Sequence, residues 1–271
     1  MHLRLEHCGP ALLPLPPVAR PASIVCGVLH PLAQQFAGVA DAYDRGRPGY
    51  PAEAVTVAAR EFELHARDRV ADLGAGTGKL TTALVDAGLE VVAVEPLEAM
   101  RARLPDVEVV AARAEDLPFP DASLAAAFSA DAFHWFDPDA AAAELYRVLR
   151  PRGGVALMWH LPDWRSDPPA WVVQLGALLD GLRTDHPGFS ADQGRAGFDC
   201  HGGFEPFQHE SVRFTFPTDR ERLLANVESI SYVAGHPQRD RLLGEVRALL
   251  RDVEPHDAPL RTDIWLTRKR S

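Results

Sequence analysis

Three glycines at alternate positions behind an acid, Asp72-x-Gly74-x-Gly76-x-Gly78, are the residues whose types and spacing most directly specify chemistry. Glycine tolerates positive φ and lets the backbone approach a ligand closely, so this turn, with Ala75 and Thr77 between the glycines, suits a nucleotide-type cofactor. A helix opens at Lys79, and the unpaired amides of its first turn would face whatever the turn holds. A second acid, Glu95, ends the next apolar run, where a carboxylate meets ribose hydroxyls in such folds. Two further clusters carry polar and aromatic groups together. Ala130-Asp131-Ala132-Phe133-His134-Trp135-Phe136-Asp137 puts aromatics on a loop, which is costly unless they cover something. His134 is its candidate general base; the competing reading packs the ring in the aromatic loop and bonds it to the backbone. Residues 42–51 combine aromatics, arginines, glycine and proline in a shaped loop. Either they turn into the helix that follows, or Tyr43 and Arg47 form a lid over a carboxylate that the guanidinium grips with two hydrogen bonds.

The elements that must position these groups alternate. A helix over 52–60 precedes a buried strand ending at Leu73, a helix to Asp86 stopped by Gly88, and a strand over 90–94. This is a βαβ unit, with parallel strands and a right-handed connection. A helix over 97–104, a strand over 107–111, a proline-rich loop over 114–121 and a strand over 124–129 follow. Next come an amphipathic helix over 139–149, a turn over 150–154 and a strand over 155–159. Beyond them the pattern predicts a helix through Leu182, a mobile polar loop over 188–203, a strand over 211–216, helices over 219–233 and 238–253, and a strand over 260–267. An open α/β sheet places its ligand at the carboxyl ends of the strands, where the glycine turn, Glu95, the loop over 114–121 and the aromatic stretch over 130–137 fall.

Composition narrows the partners. The chain has 38 acidic against 28 basic side chains, net charge -10, with no basic block before Arg268-Lys269-Arg270, so nucleic acid is not the expected substrate. Cys8, Cys26 and Cys200 are far apart, which indicates neither a metal site nor structural disulfides and fits a cytoplasmic location. No apolar stretch approaches the ~20 residues that span a bilayer. Residues 1–31 are rich in proline and are expected to form a disordered extension before a single domain over 32–271. Within it, 32–160 forms a cofactor-binding core and 161–271 supplies substrate-side helices and the last two strands.

Three cofactor classes compete for the glycine turn. A triphosphate loop would need a hydroxyl where Leu80 stands. A dinucleotide turn would place its third glycine at position 79, which is Lys79, so an NAD(P)-dependent oxidoreductase remains the second reading. The order of Asp72-x-Gly74-x-Gly76-x-Gly78, Glu95 and Ala114-Glu115-Asp116-Leu117-Pro118 resembles the class I S-adenosylmethionine-dependent methyltransferases. Residues 43–51 and Phe133-His134-Trp135-Phe136 resemble the small-molecule branch of that family (methyltransferase type 11) that contains trans-aconitate methyltransferase-like proteins. The resemblance implies a doubly wound, Rossmann-like α/β fold: a mostly parallel seven-stranded sheet with an antiparallel final strand and inserted C-terminal helices. It implies S-adenosylmethionine as cofactor, with Glu95 on the ribose, the Ala114 amide at the adenine, Pro96 and Met100 as apolar walls, and Ala130 and Trp135 near the methionine portion. It also implies that Asp72 orients the aminoacyl end through the turn. Relatives carry Asp where this chain has Arg113, so Glu115 or Asp116 would serve the adenine amino group. The acceptor is expected to be a small molecule, a carboxylate or secondary metabolite, handled by a monomer or weak homodimer. A non-catalytic cofactor-binding protein is the remaining alternative.

Overall fold

The computed structural model describes residues 29–165, 168–182 and 191–271, the first four of the last segment by backbone alone. The expected extension lies outside these residues except at its end: Leu29 lines a cavity, and His30 Nδ1 caps the short helix Pro31–Gln34 by accepting the Leu32 N–H at 3.2 Å.

The sheet is built from β1 (Arg69–Leu73), β2 (Glu90–Val94), β3 (Glu108–Val110), β4 (Leu124–Ala130), β5 (Leu149–Pro162), β6 (Gln208–Thr218) and β7 (His256–Arg268). Their order is β3-β2-β1-β4-β5-β7-β6. β1 to β5 pair in parallel, and β7 runs antiparallel to both β5 and β6. β1, β2 and β4 are buried on both faces, which is why they read as continuous apolar runs rather than alternating ones. On one face Leu73, Leu124 and Leu157 meet Leu145 and Val148 of the helix Pro138–Val148. On the other, Val70, Phe128 and Met158 meet Val55 of Ala52–Glu61 and Leu80 and Leu84 of Lys79–Asp86. Burying each such large side chain contributes about 1.5–3 kcal/mol.

Four expectations are corrected. The loop expected over 42–51 begins only at Arg47, because Tyr43 and its neighbours lie in the helix Ala40–Gly46. The turn expected over 150–154 is taken into β5, whose register shifts opposite Leu124 and Ala126. Residues 191–201, expected in a mobile loop, form a helix, because Phe198 is buried against Phe133, Phe204 and Phe207 and that burial overrides the glycine-rich composition. The helix expected over 219–233 is broken into Arg220–Glu228 and Ser231–Ala234. At the break the buried Ser229 hydroxyl donates to the Asn226 carbonyl at 2.7 Å and accepts from Arg47 Nε at 2.9 Å, competing with the helical ladder.

The C-terminal helices hold a core of their own, with Leu224, Val233, Leu243 and Leu250 at its centre. The helix Ala40–Gly46 packs on Arg220–Glu228, where Asn226 Nδ2 donates to the Gly46 carbonyl at 3.3 Å. The amino-terminal helices are thereby fixed over the carboxyl ends of β1, β2 and β4.

Candidate active site

The glycine turn leaves β1 with positive φ at all three glycines: 67° at Gly74, 57° at Gly76 and 89° at Gly78. A Cβ at Gly78 would stand 2.5 Å from Pro105 Cδ and one at Gly74 2.7 Å from Ala132 Cβ, whereas at Gly76 it would meet only Met100 Cε at 3.7 Å and Tyr43 Cε1 at 3.9 Å, across the space between turn and wall. That space belongs to a cavity of about 710 Å³, counted with its open mouth, lined by the turn, the ends of β2 and β4 and the residues before Arg47.

Glu95 ends β2 and is buried. Its Oε2 accepts the Gly76 N–H and its Oε1 the Leu97 N–H, both at 2.9 Å, so the carboxylate ties the turn to the neighbouring strand. Burial pushes its pKa up, opposed by those two amides and by Arg101. Each carboxylate oxygen keeps a further acceptor site, and Glu95 lines the cavity. Asp72 lies beneath the turn and accepts from Thr81 Oγ1 at 2.6 Å. Burial raises its pKa to about 7, against the Thr81 hydrogen bonds and with the Glu95 charge adding to the rise.

On one wall Arg113 grips Glu115 at 3.2 and 3.0 Å, and Glu115 Oε1 accepts the Asp137 N–H at 2.9 Å. The opposite wall is aromatic. Phe36 stands edge-on to both Tyr43 and Trp135, each at 5.8 Å. Burial pushes the Tyr43 hydroxyl up to about 12, opposed by Arg47. Between the walls, at the end of β4, Asp131 accepts the Tyr50 hydroxyl at 2.6 Å and the His160 N–H at 3.3 Å.

A family profile described as a methyltransferase domain matches residues 71–157. An uncharacterized methyltransferase of Mycobacterium tuberculosis is 38% identical over 226 residues, covering 81% of this chain and 86% of its own. A methyltransferase-like protein of Schizosaccharomyces pombe is 31% identical over 208 residues, covering 75% and 79%. This chain belongs to the class I S-adenosylmethionine-dependent methyltransferases. A solved structure from Anaeromyxobacter dehalogenans, provisionally described as a type II methyltransferase, superposes on the enzyme with a TM-score of 0.56 and 29% identity over 83% of this chain and 97% of its own. The fold is shared with a phosphoethanolamine N-methyltransferase of Haemonchus contortus at a TM-score of 0.54 and 18% identity, over 87% of this chain and 58% of that one.

The methyltransferase's cofactor is S-adenosylmethionine, and the residues present fit it. The turn is open at Gly76, a buried carboxylate has acceptor capacity left, and the remaining wall is largely apolar. Of the expected residues, Tyr43, Gly74, Gly76 and Glu95 line the cavity, as do Pro96 and Met100 beside them. Ala114, Glu115, Ala130 and Trp135 complete the far side. Ala75 and Gly78 shape the turn instead, the Gly78 N–H donating to the Ala75 carbonyl at 2.9 Å, and Thr77 is buried beside them. Asp72 is turned to Thr81, away from the lining. Arg47 is drawn to Ser229 and lies over the Tyr43 ring at 5.4 Å rather than on the cavity wall. His134 is buried in the turn Phe133–Trp135, its ring 4.7 Å from that of Trp135, and is not part of the lining either.

Sequence reasoning missed Leu29, Phe36, Asp131 and Phe136, all of which line the cavity. Phe136 and Asp131 stood within the aromatic stretch already singled out, but no spacing distinguished them from their neighbours. Leu29 fell inside the proline-rich segment expected to be disordered, and Phe36 carried no signal beyond its aromaticity.

Proposed function

We propose that the enzyme transfers a methyl group from S-adenosylmethionine to a small organic acceptor held beneath the lid of residues 29–47. The observation that supports this reading is the aromatic wall that Phe36, Tyr43 and Trp135 set along the cavity, a lining suited to a small organic acceptor. The net charge of -10 also favours a small acceptor over nucleic acid. The bound cofactor supplies a methyl group already activated on a sulfonium. The chain's own work is therefore to position and to exclude water, which suffices for large accelerations when the donor is this reactive.

In this reading Glu95 takes the ribose hydroxyls while its amide contacts hold the turn in shape. Asp72 acts through that turn, Ala75, Thr77 and Gly78 set its path, and Pro96 and Met100 wall the adenosine. Ala114 with the Arg113–Glu115 pair forms the adenine end, and Ala130 and Trp135 lie toward the methionine end. Residues 32–160 form the cofactor core and 161–271 cap the acceptor side, as in the small-molecule branch that residues 43–51 resemble. Arg47 secures the lid through Ser229, so the reason for expecting a carboxylate acceptor weakens. His134 packs the Trp135 loop rather than taking a proton, and His134→Ala is expected to retain turnover. Among the described residues no helix is long and apolar enough to cross a membrane. The proposal extends to a cytoplasmic monomer or weak homodimer, as expected from the sequence.

The ribose assignment is tested by calorimetry with S-adenosylhomocysteine. Glu95→Ala is expected to lose at least tenfold in affinity, and an unchanged affinity would remove Glu95 from the cofactor site.

A further inference from the structure

Three carboxylates among the described residues line the cavity, and their surroundings differ. Glu115 is gripped by Arg113, and Glu95 is capped by two amides with Arg101 nearby. Both hydrogen-bond partners of Asp131 are uncharged: the Tyr50 hydroxyl at 2.6 Å and the His160 backbone N–H at 3.3 Å. The one guanidinium whose charge reaches this cluster among the described residues, that of Arg47, makes no hydrogen bond to Asp131. The His160 ring stacks on Tyr50 at 4.1 Å and 17° and meets Thr262 Oγ1 through Nδ1 at 3.0 Å. Burial holds that imidazole below its ordinary pKa, with Arg47 adding to the drop against the Asp131 charge and the Gly49 carbonyl, so it is neutral at physiological pH. Arg47 is directed to Ser229 and Tyr43.

A rigid carboxylate with unfilled acceptor sites facing a cavity walled by Phe36, Tyr43, Trp135 and Phe136 is a cation receptor in its chemistry. The aromatic faces attract an ammonium through their quadrupoles, and the carboxylate supplies the charge-assisted hydrogen bond. Asp131 sits at a backbone φ of 48°, in the left-handed region that Asp adopts more readily than most residues, and Tyr50 and the β5 amide of His160 fix its carboxylate.

We propose that Asp131, fixed by Tyr50 and His160, is the specificity determinant that binds a protonated amine on the methyl acceptor, so that the substrate class is organic amines rather than carboxylates. This rests on the methyl-transfer reading above. The same chemistry is present on the cofactor's own α-ammonium, and the test separates the two sources.

The protein, with and without saturating S-adenosylhomocysteine, is titrated by calorimetry with 2-phenylethylammonium and with 3-phenylpropionate, probes of similar size and opposite charge. The ammonium is expected to bind at least tenfold more tightly. Asp131→Asn is expected to abolish that preference while keeping S-adenosylhomocysteine affinity within threefold, and Tyr50→Phe, which leaves the carboxylate in place, is expected to keep the preference. The proposal is overturned if the carboxylate binds as well as the amine, if neither probe binds, or if the preference survives Asp131→Asn. It is equally overturned if Asp131→Asn weakens S-adenosylhomocysteine tenfold or more, which would assign the residue to the cofactor. Should Asp131→Asn fail to fold, Asp131→Ser is judged by the same criteria in its place. Failure of the wild-type protein to bind S-adenosylhomocysteine would count against the methyl-transfer reading, and the probe comparison without it judges Asp131 separately.

Discussion

Asp72 couples the glycine turn to pH. Its carboxyl has a pKa of about 7 in the folded protein against an ordinary value of 3.8, chiefly because it is buried. Between those pH values the folded protein retains a proton that the unfolded chain has released, so stability falls as pH rises through the window and levels off above it. Glu95, also raised by burial, contributes with the same sign. Urea melts from pH 5 to 8 are expected to show this decline, bounded by about 1.4 kcal/mol per pH unit for one proton, and Asp72→Asn is expected to flatten it. A wild-type stability that climbs steadily across the same range would contradict the burial of Asp72 as a protonated group. The acid and the glycines were legible in the sequence because their function depends on local spacing along one strand and turn. Asp131 was not, because what sets it apart comes from Tyr50 and His160, which reach it from other strands and loops. The placement of His134 was open for the same reason: a sequence shows that a histidine is near an aromatic loop but not which way the loop turns it.

Among the elements, the lid and the C-terminal helices act as one piece. Gly46 ends the lid helix against the backbone of Arg220–Glu228, where a Cβ would stand 2.2 Å from Asn226 N and 2.5 Å from Ala225 C. Backbone cannot yield as a flexible side chain does, so Gly46→Ala must push the two helices apart. The expected cost is about 1–3 kcal/mol of stability, with weakened S-adenosylhomocysteine binding because Tyr43 and Phe36 move with the lid. Chemical denaturation and calorimetry on this variant check both, and unaltered binding would show that the lid is placed independently of the helices beneath it. Strands buried on both faces and the βαβ unit were readable from apolar runs bounded by glycine and proline. The extra length of β5, β6 and β7 was not, since their outer turns are held by cross-strand pairing rather than by alternation. Nor was the break at Ser229, which depends on a hydrogen bond from Arg47 far away in the chain.

For the molecule as a whole, the cavity joins segments distant in sequence: the lid, the β1 turn, the end of β2 and the end of β4. A ligand bound there stabilises only the arrangement in which all of them are assembled. At a concentration 100 times its dissociation constant, S-adenosylhomocysteine is expected to add about 2.7 kcal/mol to the unfolding free energy. How that gain is distributed distinguishes a cofactor held by the glycine turn alone from one held by the assembled site. Local opening of the lid is governed by its contacts with Arg220–Glu228 and with Trp135, both of which must be kept for the cavity to close. Hydrogen exchange with and without S-adenosylhomocysteine is therefore expected to show added protection in residues 32–47 and 220–234 as well as in 72–101. Protection confined to 72–101 would mean that the lid does not close on the cofactor, and the acceptor would then reach the donor from open solvent rather than through a pocket lined by Phe36 and Asp131.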